Sequence, residues 1–202
     1  MAYPTVSAPY GLKPVNLIGG QVFAGATRLM EIASGYATSI FYGDLVKRVT
    51  AGTIELDAGT TTATPCGVFL GVQFTNGSTG QVQQQQFYPA SQSIKSGTKI
   101  FAVVADDPDT LFQVVSCSAT TTVAGMGIAA IGSNIALIQN AGSSTTGNSA
   151  VAIDEGTQTT TNTLPIRIID VVRDTATGSD TFVEFIVKIN ATMHQYNNST
   201  GI

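Results

Sequence analysis

The chain is predicted to be all-β: a β-barrel or β-tulip-like domain with an extended N-terminal arm and at most one or two short helices. Three observations predict it. Short runs of β-branched and aromatic residues recur along the 202 residues, punctuated by Gly, Asn, Asp and Thr. No amphipathic helix of useful length appears. The stretch 35–49 reads as a run, a turn and a second run: Ile40-Phe41-Tyr42, then Gly43-Asp44, then Leu45-Val46-Lys47-Arg48-Val49. Gly takes positive φ freely and Asp hydrogen-bonds its own backbone, so Gly43-Asp44 is turn chemistry.

Taken in order, residues 1–20 carry Pro4, Pro9 and Pro14 at even spacing, with Tyr3, Tyr10, Val15 and Leu17 between them. Proline holds such a segment extended, and its apolar side chains need a surface to bury against. The expected boundary is therefore an arm over 1–20 and a single β domain over 21–202, with 118–163 as the place where that domain could subdivide. Strands are expected at 21–23, 28–32, 45–49 and 53–56. Residues 67–74 (GVFLGVQF) are apolar on both faces, hence a core strand, and Gly67 and Gly71 suggest a close backbone approach or a bulge. Asn76-Gly77-Ser78 is a turn and the Gln-rich 81–88 a polar-faced strand. Residues 99–105 form another buried strand, with 111–117 as its hairpin return across Asp106-Asp107-Pro108-Asp109. A short helix is expected near 127–131 and a strand at 135–138. A short strand at 151–153 precedes a Thr-rich loop over 156–163, and strands at 164–172 and 181–189 complete the chain. No internal repeat is evident.

Composition narrows the function. Charged residues make up only 11% of the chain, against roughly 25% in ordinary globular proteins, while hydrophobic residues reach 43%. A surface so poor in charge suits a protein whose faces end inside an assembly. Net charge is -4, which supplies no basic footprint for nucleic acid. No apolar run reaches the roughly 18 residues of a membrane-spanning helix, and the start, Met1-Ala2-Tyr3-Pro4, lacks the features of a signal peptide. The expected partners are neither nucleic acid nor membrane.

The candidate chemical motifs have plainer readings. Gly125-Met126-Gly127-Ile128-Ala129-Ala130 fits a relaxed dinucleotide pattern, but the strand–helix–strand context that pattern needs is missing. Asp106-Asp107-Pro108-Asp109 is turn chemistry rather than a cation loop. His194 is the only histidine and has no nucleophile elbow to serve. Cys66 and Cys117 each sit in or beside an apolar run and read as buried thiols. No catalytic, cofactor or metal residues are assigned, and the chain is not expected to be an enzyme.

Several stretches resemble proteins encoded beside the major capsid protein of tailed bacteriophages. They are Gly11-Leu12-Lys13-Pro14-Val15-Asn16-Leu17, residues 33–44 (ASGYATSIFYGD), residues 66–72 (CGVFLGV), residues 106–112 (DDPDTLF), the turn Ile131-Gly132-Ser133-Asn134 and the terminal Val187-Lys188-Ile189-Asn190. They span nearly the whole chain. The resemblance implies a head decoration, or cement, protein on the outer surface of the capsid. Its implied partners are the major capsid protein and further copies of itself in a homotrimer, with no cofactor. The partner-binding residues expected on the arm are Tyr3, Pro4, Pro9, Tyr10, Pro14, Val15 and Leu17. Competing readings are another virion β protein of tail, baseplate or fibre and, from a different class, a carbohydrate-binding β module, against which the absence of tryptophan speaks.

Overall fold

A computed structural model describes residues 8–118, 122–123, 126–176 and 182–201. The fold is nearly all β, as predicted, with two single-turn 3₁₀ segments, Ile128–Ala130 and Arg173–Thr175. Strand β1 (Lys13–Leu17) precedes two closed five-stranded rings.

The first ring is built from β2 (Arg28–Ile32), β3 (Leu45–Arg48), β4 (Ile54–Leu56), β5 (Gly67–Thr75) and β7 (Ile100–Ala105). Its neighbours run β3-β4-β2-β7-β5, closed by a β3–β5 pairing, and β6 (Val82–Gln85) is added outside, along β5. The second ring uses β8 (Thr110–Ser118), β10 (Asn134–Ile138), β11 (Ala152–Thr159), β12 (Ile166–Val171) and β13 (Glu184–Ile189), closed by β8–β13. Strand β9 (Thr122–Val123) and β1 attach to β8 from outside.

These two rings have one topology. In each, the first strand pairs parallel with the third and antiparallel with the fifth. The second pairs antiparallel with the third and fourth, and the fourth antiparallel with the fifth. Registers agree residue by residue. Phe69 opposes Val104 as Ile168 opposes Val187, and in both rings the fourth strand then skips one residue, Leu70 or Ile169. Ile32 opposes Ile54 as Ser116 opposes Ile153, and Arg48 opposes Ile54 as Leu137 opposes Ile153. The chain is thus a structural repeat, which corrects the expectation that none exists. Burial demands only apolar side chains of compatible volume, so among equivalent core positions just Ile54/Ile153, Val72/Val171 and Val104/Val187 keep their identity.

Each ring has its own core. Met30, Ile32, Val46, Ile54, Phe69, Val72, Ala102 and Val104 fill the first; Val114, Ile135, Ile153, Ile166, Ile168, Phe185 and Val187 fill the second. Leu45, Val68 and Ala105 oppose one another on the outside of the first ring and pack into the second core, which locks the rings together. Gly67 has no room for a side chain, since a Cβ there would lie 2.4 Å from the Ala105 carbonyl oxygen. Gly71 ends the bulge. Both expectations for these glycines hold.

Four further expectations need correction. Residues 111–117 are not the hairpin return of 99–105: β7 closes the first ring and β8 opens the second. The Asp107 side chain accepts from the Asp109 N–H at 2.9 Å and its carbonyl from the Thr110 N–H, so the acidic turn carries the chain between barrels. Residues 156–159 are strand, not loop, because β11 continues to Thr159 beside β10. Ile40-Phe41-Tyr42 makes isolated bridges to Tyr88 and Asn148 and is no partner of β3. Of the strand expected at 21–23, only Val22 pairs, in one bridge to Asn16.

The largest correction concerns the arm. From Pro9 onward the chain is part of the fold. Pro9 and Gly11 are buried, Leu12 is fully buried in the second core, and β1 pairs antiparallel with β8. Gly11 crosses Gly43 so closely that a Cβ on it would meet the Gly43 oxygen at 2.9 Å, and the Leu12 N–H donates to that oxygen. Two glycines at positive φ, +80° and +95°, make this crossing feasible. The boundary at residue 20 is therefore wrong, and only residues 1–7 remain as a candidate arm.

Candidate interaction surface

The residues expected to bind a partner divide sharply. Tyr3 and Pro4 lie outside the described residues. Pro9 is buried, and Tyr10 donates its hydroxyl to Glu184 Oε1 at 2.5 Å within the chain. Burial first, and then this carboxylate, pushes the Tyr10 hydroxyl well above its ordinary pKa. The Lys13 ammonium sits 3.9 Å from the Tyr10 ring centre, a cation–π contact. Pro14, Val15 and Leu17 are half-buried on β1. These side chains serve their own protein.

The groups considered for chemistry are inert in character. Cys66 and Cys117 are free and buried as expected, and burial pushes their thiols up to about 12 and about 11. A thiol so far above neutrality supplies little thiolate. Burial pulls His194 down to about 4, so it is neutral at pH 7. Its Nδ1 accepts from the Tyr196 N–H at 3.2 Å, while Nε2 has no partner among the described residues. Gly125 lies outside the described residues, and Gly127 leads only into the single turn Ile128–Ala130, too short for a dinucleotide helix. Among the described residues no cluster of His, Cys, Asp or Glu suits a metal, and no helix is long and apolar enough to cross a membrane.

What the chain does present is surface. On the outside of the first barrel Leu29 is 58% exposed, Phe101 36% and Val82 63%. Leu29 opposes Val103, and Phe101 lies between Glu31 and Gln73. The strip is flanked by amides, Gln73 and Gln84, and by one exposed ion pair, Lys99–Glu31. Two strand edges border it. Strand β6 pairs only with β5. Strand β2 gives one edge to β7 over its whole length but meets β4 on the other edge only at Ile32. Among the described residues, nothing else bonds the backbone of residues 28–31. At the Arg28 end of β2, where the chain leaves β7, a groove of about 410 Å³ is lined by Ala26, Thr27, Arg28, Asp106, Asp107, Pro108 and Tyr196. Arg28 pairs with Asp106 at 2.9 Å and Tyr196 donates its hydroxyl to the same carboxylate at 2.7 Å.

The C-terminal segment holds this region to the second barrel. Gln195 mimics a strand residue: its side chain accepts from the Arg48 N–H at 2.7 Å and donates to the Arg48 carbonyl, while its own N–H donates to Pro65. Behind it, Asn190 donates to the Leu164 carbonyl in the second barrel.

Sequence reasoning missed the exposed strip, although Leu29 and Phe101 alternate with core residues within predicted strands. The missing information was which face a second barrel would cover. Comparison with family models, with curated proteins and with solved structures finds no match.

Proposed function

We propose that this chain is a virion structural protein, a decoration or cement protein bound to the outer surface of a tailed-phage head. Its partners in this reading are the major capsid protein and further copies of itself, arranged as a homotrimer. The observation that carries the reading is the set of exposed apolar side chains on the outside of the first barrel, Leu29, Phe101 and Val82, on a chain with only 11% charged residues. Exposed apolar side chains grouped on one face mark a surface meant to be covered. The resemblance to proteins encoded beside the capsid gene says what covers it.

A cement protein acts by contact alone. It bridges neighbouring capsomers, so that separating them must also break its own interfaces. Several copies held together bind with avidity far above that of one copy. The buried thiols and the neutral, enclosed His194 supply no activated nucleophile or base, which suits such a role.

The test is reconstitution. Heads lacking the protein, mixed with the purified chain and imaged by cryo-electron microscopy, are expected to gain outer density at lattice three-folds or two-folds. Whole particles in which the chain appears only in tail, baseplate or fibre would overturn the reading.

A further inference from the structure

The two barrels are equivalent in register, yet one edge is filled in the second and open in the first. In the second barrel β1 lies along β8, with Lys13 opposite Gln113, Pro14 opposite Phe112, Asn16 opposite Leu111 and Leu17 opposite Thr110. Strand β13 occupies residues 111–115 of β8, so β1 must sit on the same edge as β11. In the first barrel the matching residues are 26–29, because Leu29 opposes Val103 as Gln113 opposes Ile186. There residues 26–29 are all exposed, and Leu29 and Phe101 are exposed where the second barrel has the half-buried Gln113 and the buried Glu184. The second barrel therefore displays the kind of occupant that suits this edge: an extended segment with proline and apolar residues.

We infer that the exposed residues 26–29, the first two residues of β2 and the two before them, take residues 1–7 of a second copy as an added strand. The chain enters the described structure at Ala8, an exposed residue, with seven residues before it. Seven is enough for the four residue pairs that β1 makes with β8. The segment, MAYPTVS, has no charged side chain and carries Tyr3, Pro4 and Val6, much as β1 carries Pro14, Val15 and Leu17. It suits residues 26–29, in which the one cationic side chain, Arg28, already has Asp106. An added strand gains main-chain hydrogen bonds from an open edge and side-chain contacts from alternate positions. Passing one segment to the next copy is a head-to-tail contact, which closes into a ring when the rotation allows. The inference rests on the assembly part of the proposed function, since it names the contact between copies.

The test mixes two forms of the full chain, one carrying Val6→Cys and the other a single cysteine at Ala26, Thr27 or Leu29. The native cysteines are buried and stay out of the exchange. Mild oxidation is expected to give a disulfide between the two forms at one or more of the three positions. Light scattering supplies the second arm. Deleting residues 1–7 and substituting Leu29→Lys should each weaken self-association roughly tenfold or more, with no further loss when combined, because both remove one contact. Val82→Lys, on the exposed strand β6, should leave association unchanged. Cross-links at none of the positions, additive losses, or dissociation by Val82→Lys alone would each overturn the inference. Loss of head binding with the cross-link intact would count against the capsid reading and not against this contact.

Discussion

The two barrels share a ring and differ in what each turns outward. In the first, the row Leu45–Val68–Ala105 is apolar because the second barrel covers it; the equivalent row in the second is Asn134–Arg167–Lys188, where the Arg167 guanidinium donates to the Asn134 side chain at 3.0 Å. At another pair of positions the contrast reverses. Glu184 is buried under Tyr10 in the second barrel, while its counterpart Phe101 is exposed in the first. A ring topology needs only apolar residues inside, so the interior drifts within a volume limit. Outer faces diverge according to what covers them, and an exposed phenylalanine where the twin carries a covered carboxylate marks an unfilled site.

This contrast can be broken most severely at β1. Removing residues 1–17 takes away the added strand and the buried Leu12, whose truncation to alanine alone costs about 2–5 kcal/mol. Denaturant unfolding should show the second barrel lost. Removing only residues 1–7 should leave the unfolding midpoint unchanged at dilutions where the intact chain is also monomeric. A stable fold after the longer deletion would return β1 to the status of a free arm.

The next test moves a residue between twins. Ile166 fills the second core at the position that Gly67 holds in the first. Gly67→Ile should cost about 3 kcal/mol or more, because the new Cβ meets backbone rather than a side chain that can turn aside. Thermal unfolding measures it, and an unchanged midpoint would mean that the Gly67–Ala105 approach is not obligatory.

Those two results bear on what the sequence made legible. Strand positions such as Gly67–Thr75 and Ile100–Ala105 were readable because doubly apolar runs have few alternatives to a buried strand. The role of residues 9–17 was not, because Pro14 and extended apolar residues look alike in a free arm and in an edge strand. The repeat was hidden by pairs such as Gly67/Ile166 and Ala102/Phe185, where a small residue in one ring matches a large one in the other. Of the predicted site residues, those placed by the fold serve the chain itself, and the exposed strip emerged only once the faces were assigned.

A smaller effect is expected from acid. His194 lies in the segment that ties the barrels together, near Asp106, Asp107 and Lys188. Its folded pKa of about 4 is below the ordinary 6.5, so the unfolded chain binds the extra proton in that window. Stability should be full above pH 6.5 and fall by about 2–3 kcal/mol as pH drops toward 4. His194→Gln should remove that part of the pH dependence in thermal melts; an identical slope in the variant would exclude His194 as its source.

A single-atom change, Tyr10→Phe, removes one hydroxyl and leaves the Glu184 carboxylate without that donor. A cost of about 1.5–3 kcal/mol is expected, as for hydrogen bonds to charged groups. Phe101→Glu, which places the second barrel's residue on the exposed face of the first and directly opposite Glu31, should cost about 0.5–1 kcal/mol.

Amide hydrogen exchange tests the comparison most directly, on the chain lacking residues 1–7 so that its edge stays open. Strand β8 is paired on both edges over residues 111–113, and its amides there should be protected throughout. Over residues 28–31 of β2, protected amides facing β7 should alternate with fast-exchanging amides facing the open edge. Uniform protection of residues 28–31 in that shortened chain, or fast exchange in the β1-facing amides of β8, would contradict the account.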